Sequence, residues 1–207
     1  MLIWFGANDA ALPPSPQAVR SPSCHELPCS ASLLTWRPFH QLTIDEFKAN
    51  LHAILALVRD PHSPYYSPNT KFLLLTPPPV DAATRNNDLV TRNPPRVPDR
   101  DYERTRLFAV AVQEVAVEAS VPSVDCWGSI VEAAARDGGL DKYLHDGLHL
   151  SPDGYAVVIG KVAEAITVHL PELHWDKLEQ TYPHWADIVN QGGQSHSLVP
   201  RGGRKDC

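Results

Sequence analysis

A short segment about two thirds of the way along the chain has the residue types of a hydrolytic base. It reads Asp146-Gly147-Leu148-His149 and runs into Leu150-Ser151-Pro152-Asp153-Gly154-Tyr155. An Asp three residues before a His, across a Gly turn, can orient the imidazole and stabilise the charge that it gains with a proton. The segment predicts Asp146 and His149 as orienting acid and general base. The alternative is a turn aspartate beside a solvent-exposed histidine, because this spacing is common.

A second segment offers a hydrogen-bond donor. Gly6-Ala7-Asn8-Asp9 follows the apolar run Leu2-Ile3-Trp4-Phe5, which is typical of a buried parallel strand. Ligands of parallel sheets bind beyond the carboxyl ends of the strands. The Asn8 side-chain amide is the kind of group used in oxyanion holes, and Gly6 lies beside it. An ordinary turn at the end of a strand explains the same residues.

The elements that must position these residues alternate between strands and helices. The alternation predicts an α/β fold with a parallel sheet. A capping box at Thr43 and Glu46 begins one helix, and Ser151 with Pro152 begins the last. The predicted strands are 2–5, 71–76 and 121–125, and the predicted helices are 44–58, 101–119, 130–136 and one that begins at 152.

Composition and charge argue against several classes of protein. The 207 residues predict one domain over 1–190 and a disordered tail over 191–207, and the formal charge of -6 argues against nucleic acid. No apolar run reaches the roughly 20 residues of a membrane span. The start lacks the features of a signal peptide, and the four cysteines lack metal-ligand spacing, so we expect a cytoplasmic protein without a metal. The composition leaves the oligomeric state open. We expect a solvated face at Arg85, Arg92, Arg96, Arg100, Arg104 and Arg106.

In this order, three segments resemble the SGNH (GDSL-type) hydrolases, most nearly their isoamyl-acetate-hydrolysing esterase branch. They are Gly6 to Asp9, the Leu-Leu-Leu-Thr-Pro-Pro-Pro-Val-Asp stretch that ends at Asp81, and Asp146 to Tyr155. The resemblance implies a three-layer flavodoxin-like fold. It also implies hydrolysis of small short-chain acyl esters, such as isoamyl acetate, through an acyl-serine intermediate and without a cofactor.

The resemblance also assigns roles. His149 would take the proton of the nucleophile, Asp146 would hold the tautomer of His149, and Asn8, from the block that begins at Gly6, would donate to the oxyanion. These roles are those of a serine-hydrolase triad and its oxyanion hole.

One departure from the family pattern concerns the nucleophile. The Gly-Asp-Ser block of the family lies upstream of its Gly-x-Asn block, and this sequence has no counterpart to it. Ser129 lacks a nucleophile motif, and Ser151 is better explained as a helix cap. We therefore expect an N-terminally truncated fold whose first strand has an unpaired apolar edge. We also expect that the 207 residues by themselves hydrolyse no ester.

A second departure is a Pro-rich insert at about 12–41, which has no periodicity of a helix or strand. One explanation is an intron retained in frame over Val19–Gln41. The other is a genuine Pro-rich surface loop.

Three other interpretations stay open. His145 and His149 could bind a metal, although Gly147 disfavours a continuous helix there and no His-Glu-x-x-His motif occurs. The chain could be a non-catalytic binding relative or a defective gene product. It could also be a plain structural α/β domain.

Overall fold

Three short parallel strands form the sheet. The computed structural model describes residues 1–12 and 42–178, together with Ala186 and Val189. The strands lie in the order β1 (Leu2–Trp4), β2 (Leu73–Leu75) and β3 (Ser123–Val124). Residues 2–4 pair in register with 73–75, and residues 74–75 pair with 123–124. The predicted α/β class with a parallel sheet is confirmed.

Five α-helices accompany this sheet within the described residues. Their bounds are α1 Ile44–Arg59, α2 Ala82–Thr91, α3 Tyr102–Glu118, α4 Cys126–Asp137 and α5 Pro152–His169. Short 3-10 turns cover Leu140–Lys142, Pro171–Leu173 and Trp175–Lys177.

The helix starts follow from local capping. The amide of Glu46 donates to Thr43 Oγ1 at 3.2 Å and the Thr43 amide donates to Glu46 Oε2 at 2.9 Å, so the predicted capping box of α1 is present. At α5, the Gly154 amide donates to Ser151 Oγ at 3.2 Å. Helix α4 begins at Cys126, four residues before the predicted start, because the Asp125 carboxylate caps it.

Helix α2 was not predicted. Its N-cap is Asp81, whose carboxylate accepts the amides of residues 83 and 84. Only Leu89 and Arg85 of this helix are buried, so the sequence has no apolar stripe that would have revealed it. The start of the helix is instead set by the cap at Asp81.

The main core lies between one face of the sheet and helices α1 and α3. Phe47 and Phe108 bring their ring centroids to 4.9 Å there. The other core residues are Ile3, Ala10, Leu42, Leu51, Leu55, Phe72, Leu74, Ala111, Val112, Val115, Ala116 and Val121. Side chains alternate along a strand, which puts Leu73 on the opposite face, where it is fully buried.

Strand β1 is an edge strand among the described residues. Leu2 pairs in register with the buried Leu73, yet Leu2 is 57% exposed, and Trp4 and Phe5 are exposed as well. Both faces of a parallel sheet are usually covered. The described residues thus leave one face of β1 in contact with solvent, as expected for an apolar edge.

One arginine links the chain on either side of the Pro-rich segment. The guanidinium of Arg104 donates from Nε to the carbonyl of Ala10 at 3.0 Å and from Nη2 to the carbonyl of Leu42 at 2.8 Å. The insert predicted for 12–41 lies, except for Leu12, outside the described residues.

The chain divides into two compact units, Met1–Ala165 and Ile166–Cys207. In the second, the His174 and Trp175 ring centroids are 3.7 Å apart. The predicted tail at 191–207 lies outside the described residues, and the division into domain and tail stays a prediction. None of the described helices combines the length and the hydropathy that a membrane span requires.

Candidate active site

The loop that carries Asp146 and His149 is closed on itself and docked on α2. Leu144 and Leu150 form an antiparallel bridge, and the His145 amide donates to the His149 carbonyl at 2.7 Å. At the tip, Gly147 has φ +78°. A Cβ there would lie 2.6 Å from the Asp81 carbonyl oxygen and 2.7 Å from the Arg85 amide. Glycine is therefore required where the loop meets the first turn of α2.

Asp146 is held by four hydrogen bonds. Its Oδ1 accepts the amides of Leu148 and His149 at 3.1 and 2.9 Å. Its Oδ2 accepts from His149 Nδ1 at 2.9 Å and from Arg85 Nη1 at 2.7 Å. A carboxylate has about four acceptor positions, so all of them are used. Burial opposes the charged form, but the hydrogen bonds from His149 and Leu148 outweigh it and lower the pKa of Asp146 to about 2.

This ionisation fixes the tautomer of the imidazole. A carboxylate with a pKa of about 2 is ionised at neutral pH and can only accept. His149 Nδ1 must therefore carry the proton that it donates to Asp146, which leaves Nε2 as a lone-pair acceptor. The His149 side chain is 70% exposed, whereas that of Asp146 is 18% exposed. The arrangement has a largely covered acid behind an accessible base.

The expected solvated face of arginines is wrong for two of its members. Arg85 and Arg100 are 4% and 2% exposed. Each is buried because it has acceptors within the fold: Arg85 reaches Asp146, and Arg100 Nη1 lies 2.9 Å from Asp99 Oδ2. Burial lowers the pKa of Arg100, and Asp99 opposes that shift.

Asn8 lies just beyond the end of β1 and is oriented by Arg100. Arg100 Nη2 donates to Asn8 Oδ1 at 3.4 Å. A guanidinium can only donate, so the amide oxygen faces Arg100 and Nδ2 is the donor of this side chain. Helix α2 also takes part, because Asn86 Nδ2 donates to the Arg100 carbonyl at 3.2 Å and Asn86 Oδ1 accepts the Asp99 amide at 3.2 Å.

Gly6 shapes the same turn. It has φ +115°, and a Cβ there would lie 2.9 Å from Pro77 Cγ. Its own amide donates to Asp9 Oδ2 at 3.0 Å. Gly6 thus lets the end of β1 approach the proline segment after β2, while its amide is used within the turn.

Asn8 and His149 line one cleft of about 270 Å³. The lining is mainly apolar and aromatic, and it contains neither Lys nor Arg. It consists of Trp4, Phe5, Gly6, Ala7, Asn8, Asp9, Pro77, Pro78, Leu148, His149, Leu150 and Tyr155. The structure thus brings together the two segments that sequence reasoning combined, and the catalytic roles of their residues stay predictions.

Over the part of the chain that the structure describes, serine does not occur in this lining. The Ser129 hydroxyl donates to the Asp125 carbonyl at 2.6 Å, and the Ser151 hydroxyl donates to the Lys142 carbonyl at 2.6 Å. Both serines are thus engaged at helix starts. Over residues 1–12 and 42–178, no group of three or more His, Cys, Asp or Glu side chains is placed to hold a metal. Cys126 is buried, and burial raises the pKa of its thiol to about 12.

Sequence reasoning missed Arg85, Arg100 and Asn86. Their partners lie 61, 92 and 14 residues away along the chain. The available signal was the Asp81 cap directly after the proline run, which marks a helix start.

A parallel α/β sheet with an Asp-x-x-His loop beside a Gly-x-Asn turn defines a class of esterase-type hydrolases. Residues 1–157 match the GDSL-like lipase/acylhydrolase family, and the chain belongs to this family. The suggested SGNH (GDSL-type) resemblance is confirmed.

Relatives agree with this assignment. A GDSL esterase/lipase of Arabidopsis thaliana is 30% identical over 79% of this chain and 56% of its own length. An isoamyl acetate-hydrolyzing esterase 1 homolog of Bos taurus is 26% identical over 90% of this chain and 61% of its own. The chain thus spans about three fifths of these relatives.

Among solved structures, a lipase/acylhydrolase from Enterococcus faecalis superposes with a TM-score of 0.50. It is 23% identical and covers 80% of this chain and 59% of its own. At this identity the likeness concerns the fold.

Proposed function

We propose that the protein serves the hydrolysis of small, neutral, short-chain acyl esters, such as isoamyl acetate, by an acyl-serine mechanism. The observation that carries the proposal is the 2.9 Å hydrogen bond from His149 Nδ1 to Asp146 Oδ2, at the edge of a cleft that Asn8 also lines. It supplies a base, an orienting acid and an amide donor at one place, which are the parts that acyl transfer needs around its nucleophile.

The roles follow from the atoms. His149 Nε2 takes the proton of a serine hydroxyl as its oxygen attacks the ester carbonyl, and Asp146 stabilises the imidazolium. The carbonyl oxygen becomes negative, and Asn8 Nδ2 donates to it. His149 then returns the proton to the leaving alcohol. Water repeats these steps on the acyl-serine.

The cleft supports the substrate class. Ligand sites commonly occupy roughly 300–1,000 Å³, so about 270 Å³ suits a small molecule. The apolar lining favours an alkyl group. Asp9 lies in the lining without a Lys or Arg to balance it, which disfavours an anionic ester.

We further propose that the 207-residue chain by itself is inactive, since no serine is among the described residues that line the cleft. The first test is hydrolysis of p-nitrophenyl acetate and isoamyl acetate by the purified chain, beside its His149→Ala variant. We expect equal background rates. Turnover that a serine-directed inhibitor abolishes would contradict this part.

The second test adds the Gly-Asp-Ser block that the family resemblance implies, fused before Met1. We expect hydrolysis that His149→Ala reduces by about 10³-fold or more and that Asn8→Ala reduces by about 10²–10³-fold. The control is Asn87→Ala, an exposed asparagine of α2, which should leave the rate unchanged. Restored activity that is indifferent to His149→Ala would overturn the proposal.

A binding role without catalysis is the second candidate, and the serine-free cleft favours it. Isoamyl acetate should then raise the melting temperature of the 207-residue chain saturably and without turnover. The same shift in a variant with a blocked cleft, such as Ala7→Trp, would exclude this role.

A further inference from the structure

We infer that Arg85 is a positioning residue, whose buried guanidinium orients Asp146 so that His149 keeps its proton on Nδ1 and presents Nε2 to the cleft. The inference rests on the proposed function, because the tautomer matters only if His149 is the base. Asp146 and His149 themselves were recognisable from sequence, whereas Arg85 belongs to a helix that was not.

The origin of the four donors to Asp146 is the first argument. Three of them belong to the same loop as the acceptor, namely the amides of Leu148 and His149 and the ring of His149. Those three would move with the loop. Only Arg85 comes from another element, and its bond of 2.7 Å is the shortest of the four. Arg85 therefore ties the carboxylate plane to the scaffold.

The second argument is that Oδ2 is shared. Arg85 Nη1 and His149 Nδ1 both donate to this one oxygen of Asp146. A carboxylate that rotated away from Arg85 would also turn Oδ2 away from the imidazole. The contact uses Nη1 alone, and the same nitrogen lies 3.4 Å from Asp88 Oδ2 within α2. The planar guanidinium therefore offers Asp146 a donor in a fixed direction, which a rotating ammonium group does not.

The third argument is energetic. The Arg85 side chain is 5% exposed, and its Nε is buried with no hydrogen-bond partner among the described residues. An unpaired buried donor is unfavourable, and a buried ion pair contributes little net stability against an apolar replacement. Stability therefore explains an arginine at this position poorly, and the orientation of Asp146 explains it well.

The tautomer of His149 can be read directly. Long-range proton–nitrogen NMR correlation of the 207-residue chain, labelled with ¹⁵N in histidine, distinguishes Nδ1–H from Nε2–H at a pH of about 8, where imidazole is neutral. Loss of one signal set in His149→Gln assigns the residue among the ten histidines. We expect Nδ1–H in the native chain. Nε2–H there would already overturn the inference.

Variants then test whether Arg85 causes His149 to keep its proton on Nδ1. Arg85→Met should raise the ratio of Nε2–H to Nδ1–H about fivefold or more, the size of a lost charged hydrogen bond. The matched control is Arg92→Met, which removes the same charge from another arginine that pairs with Asp88 but is not bonded to Asp146. It should leave the ratio unchanged.

An unchanged ratio in an Arg85→Met chain with native circular dichroism would show that the loop orients Asp146 by itself and would overturn the inference. If that variant does not fold, Arg85→Lys decides, because it keeps the charge but its shorter side chain ends before the position of Nη1. A ratio raised about twofold supports the role, and the native ratio contradicts it. The readout needs no turnover, so failure to hydrolyse esters would count against the proposed function alone.

Discussion

The two sides of the cleft are built differently. On the His149 side, a loop is closed by its own bridge, docked on α2 and tied to a buried arginine. On the Asn8 side, the donor follows a three-residue edge strand whose Leu2 and Trp4 are exposed, and its link to Arg100 is 3.4 Å long. The proposed base is fixed by several hydrogen bonds of its loop and by Arg85, whereas the proposed amide donor depends on fewer contacts.

The largest expected effect tests the docked loop. Gly147→Ala should lower the free energy of unfolding by about 3–5 kcal/mol, because a left-handed backbone and a clash with two backbone atoms of α2 combine. Urea denaturation measures the loss. Gly160→Ala is the control, since its Cβ meets open space on α5, and it should stabilise by about 0.5–1 kcal/mol. A loss below about 1 kcal/mol at Gly147 would mean that the loop is not firmly docked.

The next effect is the dependence of stability on pH. The pKa of Asp146 is lowered to about 2 in the fold. Its ionised carboxylate therefore contributes fully to the free energy of unfolding at pH values above the ordinary pKa of an aspartate. This contribution is lost as the pH falls toward 2. Between about pH 6 and 2, the native chain should therefore lose about 2 kcal/mol more stability than Asp146→Asn. Parallel curves for the two proteins would contradict this. Asp141→Asn, at an exposed aspartate, is the control.

A smaller loss of stability is expected on the Asn8 side of the cleft. Gly6→Ala should cost about 1–3 kcal/mol, because its φ is positive but its Cβ meets one proline side chain rather than backbone. Gly138→Ala isolates the backbone part, since Gly138 has φ +97° and open space around it. If Gly6→Ala costs more than Gly147→Ala in the same denaturation assay, the order of the two sides is reversed.

The smallest effect probes the open face of β1. Leu2→Ala should change the free energy of unfolding by less than about 0.5 kcal/mol, because more than half of the side chain is exposed. Val117→Ala, at an exposed valine of α3, should behave alike. A loss of about 2 kcal/mol at Leu2 alone would show that this face is covered in solution.

The features that the sequence could predict depend on residues close together along the chain. The capping box at Thr43, the cap at Ser151 and the Asp146–His149 pair each involve residues three apart, so their geometry follows from the chain itself. Two of the three strands were visible as apolar runs, and the structure shortens all three of the predicted strands.

The sequence could not predict the features that depend on partners far away along the chain. Arg85 and Arg100 look like surface residues until Asp146 and Asn8 are brought to them. Helix α2 has one buried apolar residue, so periodicity gave no signal, and its start is set by the cap at Asp81. The class of site could be predicted, but its supporting charges could not.

The two contacts of Arg104 have a consequence for the length of chain between Ala10 and Leu42. Since one guanidinium holds the Ala10 and Leu42 carbonyls, the polypeptide departs and re-enters at neighbouring points. The entropy of closing such a detour grows only with the logarithm of its length. A change in the number of residues between these two anchors should therefore cost the sheet and the cleft little free energy.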